Sequence, residues 1–232
     1  MLTYRKYLEI VTPDGGEFSE HRKSMGIVNN VVKWLAMRFS YILYRLGFTA
    51  NFLDVFGIII CFIGYYSFIT GLKSEFLLYT IVGTLLIYFH TWIDFLDGAL
   101  AKAQNKISVI GGPLDDIGCD LSRFAMFITF GLIINDFSII LLNVFSAVIL
   151  IHLFTNTVRL IPDIKYLRSI IKVYNYKWSF LSVRFMLGIL PLFFTGSIYL
   201  DADIKFICTI LSVFYGFAAM LWLMICIPTY EA

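Results

Sequence analysis

Charge is scarce in this chain. Only 15% of its 232 residues are Asp, Glu, Lys or Arg, against about 25% in a soluble domain. The shortfall is filled by hydrophobic residues, at 59%. A disordered protein is excluded, because such chains are polar and strongly charged. Net charge is only +2, which excludes a nucleic-acid binder held by bulk charge. Cysteine is also sparse. The four thiols, Cys61, Cys119, Cys208 and Cys226, all lie in apolar stretches without C-x-x-C spacing. This excludes a disulfide scaffold and a cysteine zinc site. No repeat marks a solenoid. The first residues are polar (Glu9, Asp14, Glu17, Glu20) and show no cleavable signal peptide.

Long apolar runs take the place of the missing features, with a mean hydropathy of +0.83. A bilayer core requires about 20 apolar residues per helix. Six such runs are expected to span, at residues 50–70, 76–98, 112–135, 137–158, 179–199 and 204–228. They are too long for strands and do not alternate. Helices also satisfy their own backbone groups in lipid. Residues 27–46 differ. Ile27, Val31, Trp34, Leu35, Phe39, Ile42 and Leu46 recur at helical spacing, interrupted by Lys33, Arg38 and Arg45. This pattern predicts an amphipathic helix on the membrane surface. The expected layout is an all-α membrane protein, six transmembrane helices preceded by an amphipathic juxtamembrane helix. Residues 1–26 form a polar N-terminal segment, 27–48 the surface helix and 49–232 the six-span domain. Pro13-Asp14-Gly15-Gly16 reads only as a turn.

Cations set the expected orientation. Of the 18, 14 fall before the first span, between the second and third, or between the fourth and fifth. Lys73 and Lys205 alone fall on the opposite side, and Arg123 and Arg184 lie within spans. The positive-inside rule makes the 14-cation side, with both termini, cytoplasmic.

Against this background five aspartates are out of place: Asp94, Asp97, Asp115, Asp116 and Asp120. A carboxylate at mid-bilayer costs about 2.5–3.5 kcal/mol. At about 100° per residue, Asp94, Asp97, Gly98 and Ala101 share one helix face. On the next helix Gly112, Asp116, Asp120 and Arg123 share another, with Asp115 about 100° away from Asp116. Clustered carboxylates repel, and hard divalent cations bound through oxygen offset that repulsion. Small residues beside the acids leave space for a diphosphate. The plainer alternative pairs the acids with Arg123, Lys102 and interfacial water.

The stretch Asp94-Phe-Leu-Asp97-Gly98-Ala-Leu-Ala101-Lys102 … Gly112-Pro-Leu-Asp115-Asp116-Ile-Gly-Cys119-Asp120 resembles the signature of the CDP-alcohol phosphotransferase family. That signature is D-x-x-D-G-x-x-A-R, about eight residues, then G-x-x-x-D-x-x-x-D. Lys102 stands where the family has Arg, and the spacer here has nine residues. Counting from Gly111 would select Asp115 and end on Cys119; the register from Gly112 keeps four acids. The resemblance implies transfer of a phospho-alcohol unit from a CDP-alcohol to a second alcohol, with release of CMP. It implies two divalent ions, Mg²⁺ or Mn²⁺, held by Asp94, Asp97, Asp116 and Asp120, and Asp120 as general base. Gly98, Ala101, Lys102 and Gly112 would border the nucleotide. A homodimer and a cytoplasmic active site are also implied.

A second segment, Thr49-Ala50-Asn51-Phe-Leu-Asp54-Val-Phe-Gly57, resembles the family's P-N-x-x-T-x-x-G. Asn51 is a nucleotide contact by this resemblance, or else caps the first span. Asp54 is a further polar group near the site or an interfacial acid. His90, one turn before Asp94, reads as a support to the metal or a satisfied histidine in a bundle. Arg123 either balances the acids or binds an anionic acceptor. By analogy with relatives that use phosphorylated acceptors, Arg123, Arg159 and Arg184 form an anion pocket. The intramembrane arginines fit a lipid donor such as CDP-diacylglycerol and a polar acceptor. The Gly118-Cys119-Asp120 ending resembles the branch that uses CDP-choline or CDP-ethanolamine with a lipid acceptor. A membrane prenyltransferase and a carboxylate ion transporter are the remoter alternatives.

Overall fold

A computed structural model describes residues 2–11, 27–104, 111–153, 189–200 and 202–226. Among these residues every regular element is helical. In chain order they are α1 (Tyr4–Val11), α2 (Ile27–Leu46), α3 (Ala50–Ser74), α4 (Leu77–Gln104), α5 (Gly111–Ile134) and α6 (Phe137–Ala147). A π-helical turn, Val148–Leu153, continues α6, and α7 (Leu190–Tyr199) and α8 (Ile204–Cys226) follow.

Three of these are long and apolar enough to cross a membrane: Ala50–Ser74, Leu77–Gln104 and Ile204–Leu221. They match the first, second and sixth expected spans. Over the expected spans at 112–135, 137–158 and 179–199 the described residues form α5, α6 with its π-turn, and the ten-residue α7, none of which counts among the helices long and apolar enough to cross. Residues 154–158 and 179–188 lie outside the described residues. Apolar side chains stay exposed along the long helices, among them Ile59, Phe62 and Tyr66 on α3 and Phe206, Val213 and Phe217 on α8. A surface of this kind suits lipid and not water.

The helix expected over 27–46 is present as α2 and ends at Leu46; residues 12–26 before it lie outside the described residues. Val31, Leu35, Phe39, Ile42 and Leu46 form its exposed apolar stripe, while Ala36, Met37 and Ser40 are buried. Gly47 ends it in the left-handed region at φ 82°. Phe48 N–H there donates to the Leu43 carbonyl at 3.1 Å, a closure that favours glycine. The Arg38 guanidinium covers the Trp34 ring at 3.7 Å, which shields its charge on a mostly apolar helix.

The chain divides into two units, Met1–Cys61 with Tyr88–Cys119, and Phe62–Ile87 with Asp120–Ala232. In the first, Ala36, Leu53, Ile93, Leu96 and Leu100 form a core. α1 closes a second cluster by placing Tyr7 and Val11 against Ala99 and Ala103. Tyr7 is fully buried, and its hydroxyl donates to Ser40 Oγ at 2.6 Å. Burial pushes the Tyr7 phenol up to about 12. In the second unit Phe127, Phe130, Phe194 and Tyr215 pack ring against ring, with Phe130 stacked on Tyr215. Asn143 Nδ2 donates to Ser212 Oγ at 3.0 Å, joining α6 to α8. Gly83 lets α4 approach α3 closely: a Cβ there would lie 2.6 Å from Phe68 Cα.

Candidate functional site

In the first unit, burial of Leu96, Ala99, Leu100 and Ala103 on α4 carries Asp97 into the same packed interior. Asp97 is 7% exposed, and Asp54 on α3 is 8% exposed. Their carboxyl groups lie within hydrogen-bonding reach of each other, with the charge of Asp94 nearby. Two carboxyls meet in this way only when a proton or a cation lies between them. The same carboxyl of Asp97 also accepts the Gly98 N–H. Gly98 is exposed, and a Cβ added there would meet nothing within 4 Å among the described residues. Ala101 is half-buried beside it and Lys102 is exposed. The acids therefore border open space on the side where the sequence places small residues.

His90, one turn before Asp94, is 8% exposed. Its ring lies by Gly57 and Gly118. A Cβ on Gly57 would lie 3.3 Å from Nδ1, and one on Gly118 would lie 3.9 Å from Cε1. Nδ1 is buried and has no hydrogen-bond partner among the described residues, while the backbone groups of Gly57 and Gly118 lie within reach of the ring, so both readings of His90 stay open. The capping reading of Asn51 is also corrected. Thr49 Oγ1 accepts the Phe52 N–H at 3.3 Å and caps α3, while Asn51 is half-buried in the first turn.

Gly112, Asp115 and Asp116 lie in the first turns of α5; the side chains of residues 111–116 are outside the described residues. Asp120, one turn beyond Asp116, belongs to the second unit. Arg123 Nη1 donates to Asp120 Oδ1 at 2.8 Å. The balancing role expected for Arg123 is thus present. Its buried Nε has no partner among the described residues. Arg159 and Arg184 lie outside the described residues.

By sequence Asp54 is a site group or an interfacial acid. The structure places it against Asp97, and its signal was a lone acid inside an apolar run. Asp54, Asp94 and Asp97 offer only oxygen donors, which suits a hard divalent ion. Among the described residues no three His, Cys, Asp or Glu side chains converge on one point. A complete ligand set would therefore require Asp115 or Asp116, whose side chains lie outside the described residues.

In comparison with known proteins, no family model matches the chain and no curated protein matches it.

Proposed function

We propose that the protein is a six-span membrane enzyme that transfers a phospho-alcohol unit from a CDP-alcohol donor to an alcohol acceptor and releases CMP. The observation that carries this reading is the buried Asp97 carboxyl, held against Asp54 in an apolar helix, inside the stretch that resembles the phosphotransferase signature. A buried acid pair is unfavourable in isolation, and of the two remedies, a shared proton or a bound cation, the reading takes the cation. The donor favoured here is CDP-diacylglycerol or a similar lipid, and the acceptor a polar alcohol.

The divalent ions, when bound, neutralise the donor diphosphate and the departing CMP; Asp94, Asp97, Asp116 and Asp120 would hold them. Asn51, Gly98, Ala101, Lys102 and Gly112 would receive the nucleotide. The acceptor hydroxyl attacks the phosphorus that carries the donor alcohol. The bond from that phosphorus to the bridging oxygen breaks, and CMP leaves with the bond's electron pair. Asp120 takes the hydroxyl proton, and Arg123, hydrogen-bonded to its Oδ1, fixes the direction of that carboxylate. Arg123 Nε, with Arg159 and Arg184, serves an anionic acceptor. The active site faces the cytoplasm, both termini lie on that side, the amphipathic helix rests on its surface, and the enzyme works as a homodimer.

The test is CMP release from a panel of donors by purified protein. CDP-diacylglycerol with polar alcohols should release CMP only with Mg²⁺ or Mn²⁺, and Asp120→Asn should abolish it. Release only from CDP-choline or CDP-ethanolamine with diacylglycerol would move the assignment to the lipid-acceptor branch. Pyrophosphate release from a prenyl diphosphate, without CMP, would refute the reading.

A further inference from the structure

The second unit holds a cavity of about 840 Å³ that the transfer reaction does not use. It is lined where three connections meet: the turn from α3 to α4, the turn from α5 to α6, and the link from α7 to α8. The first two turns are built alike. Each puts one non-glycine residue in the left-handed region, Glu75 at φ 56° and Asn135 at φ 62°. Each sends a backbone N–H back to a glycine carbonyl, Phe76 to Gly71 at 3.0 Å and Asn135 to Gly131 at 2.9 Å. The tight turns bring polar residues together at the ends of the apolar helices.

The cavity has two kinds of wall. Leu72, Ile133 and Ile204 are buried and apolar. Lys73, Glu75, Asn135, Asp203 and Lys205 supply the polar part. Asp203 is already engaged, since its Oδ1 accepts the Phe206 N–H at 3.0 Å and caps α8. Neither lysine makes an ion pair among the described residues. The lining thus carries two ammonium groups and two carboxylates, of which Asp203 is committed to the α8 cap. Apolar side chains surround this end of the unit: Phe76, Phe137, Tyr199, Leu200 and Phe206 are all exposed.

Location decides the ligand. At 1.5 Å per residue α3 is about 37 Å long and α4 about 42 Å, longer than the roughly 30 Å hydrocarbon core. The end of α3 and the start of α4 therefore emerge in the headgroup layer, and the cavity with them. The exposed aromatics are of the kind that populates that interface. Molecules present there at high local concentration are phospholipids, with a phosphodiester beside an apolar body. The volume falls within the range of small-ligand sites, about 300–1,000 Å³.

We propose that this cavity binds the headgroup of a membrane phospholipid. Lys73 and Lys205 contact the phosphodiester, and the apolar wall receives the glycerol end of the lipid. The proposal rests on the membrane spans alone and not on the transferase reading.

Native mass spectrometry of the full chain released from detergent tests it. The probes are phosphatidylglycerol, diacylglycerol and glycerol 3-phosphate. Wild-type protein should retain phosphatidylglycerol over diacylglycerol, which shares the apolar part and lacks the phosphate. The Lys73→Gln, Lys205→Gln double variant should bind phosphatidylglycerol at least about tenfold more weakly, as expected from the loss of a charge-assisted hydrogen bond. Lys6→Gln, exposed on α1, should bind it as wild type does. Equal retention of the two lipids by wild type overturns the proposal, and this arm stands whether or not the double variant folds. Equal binding by wild type and the double variant also overturns it. Glycerol 3-phosphate binding as tightly as the lipid would replace it with a site for a soluble anion.

Discussion

Gly98→Ala separates two roles that a helical glycine can have. Gly98 sits within α4, where alanine is worth about 0.5–1 kcal/mol more than glycine. A Cβ there meets nothing within 4 Å among the described residues, so no clash with them opposes that gain. A chain of this size shifts by roughly 2–4 °C per kcal/mol, so the variant should melt roughly 1–4 °C higher without ligand. The expectation reverses when nucleotide is present. If the space over Gly98 receives the cytidine diphosphate, a methyl group there obstructs it. Saturating CDP with Mg²⁺, at about 100 times its dissociation constant, adds about 2.7 kcal/mol to wild type, and the variant should lose much of that gain. Thermal unfolding in detergent, with and without CDP and Mg²⁺, reads both effects. A lower melting point without ligand would show that the face is packed. An unchanged nucleotide shift would remove Gly98 from the binding wall. Gly83→Ala is the contrast: its Cβ would lie 2.6 Å from Phe68 Cα, and overpacking of this kind costs about 1–3 kcal/mol, so it should melt lower with or without ligand.

Three further outcomes follow from particular contacts. Asp54→Asn gives Asp97 an N–H donor without a proton or cation between them. It should leave the melting point in chelator unchanged or higher and remove the stabilisation by Mg²⁺; a full Mg²⁺ effect would contradict the shared-cation account. Ser212→Ala deprives Asn143 Nδ2 of its acceptor and should cost about 0.6–2 kcal/mol, read as a lower midpoint in denaturant; an unchanged midpoint would contradict it. Tyr7, raised from 10.0 to about 12 by burial, binds its proton more tightly when α1 is docked. Docking should hold at full strength below pH 10 and weaken as pH rises through about 12. Proteolysis near residue 11 should therefore rise over that window in wild type and show no such step in Tyr7→Phe.

Much of the helical layout was legible because burial imposes a period. The recurrence at Val31, Leu35, Phe39 and Ile42 marked α2 because Lys33, Arg38 and Arg45 fall between the apolar positions without breaking their spacing. The reading of α4 stopped near residue 98, where charges begin, yet the helix continues to Gln104. It continues because Ala99, Leu100 and Ala103 are buried against neighbours that the sequence cannot place. α1 went unread because a polar segment hid its signal, Tyr4, Tyr7, Leu8 and Val11 at helical spacing. The acids of α4 were legible as misplaced charge. Asp54 was legible as one more acid, but its pairing with Asp97 was not, because it lies 40 residues before Asp94 in the sequence and only helix packing brings it to Asp97. The pairing of Asp120 with Arg123 was legible from i, i+3 spacing.

The central claim is that the carboxyls around Asp97 serve a metal-bound cytidine diphosphate. Its most direct measurement is thermal unfolding of the purified protein with CDP, ADP or GDP, each with and without Mg²⁺ or Mn²⁺, beside Asp97→Asn. The account predicts stabilisation by CDP over the other nucleotides, only with metal, and its loss in the variant. Stabilisation that is equal for all three nucleotides, independent of metal, or retained in Asp97→Asn would contradict it.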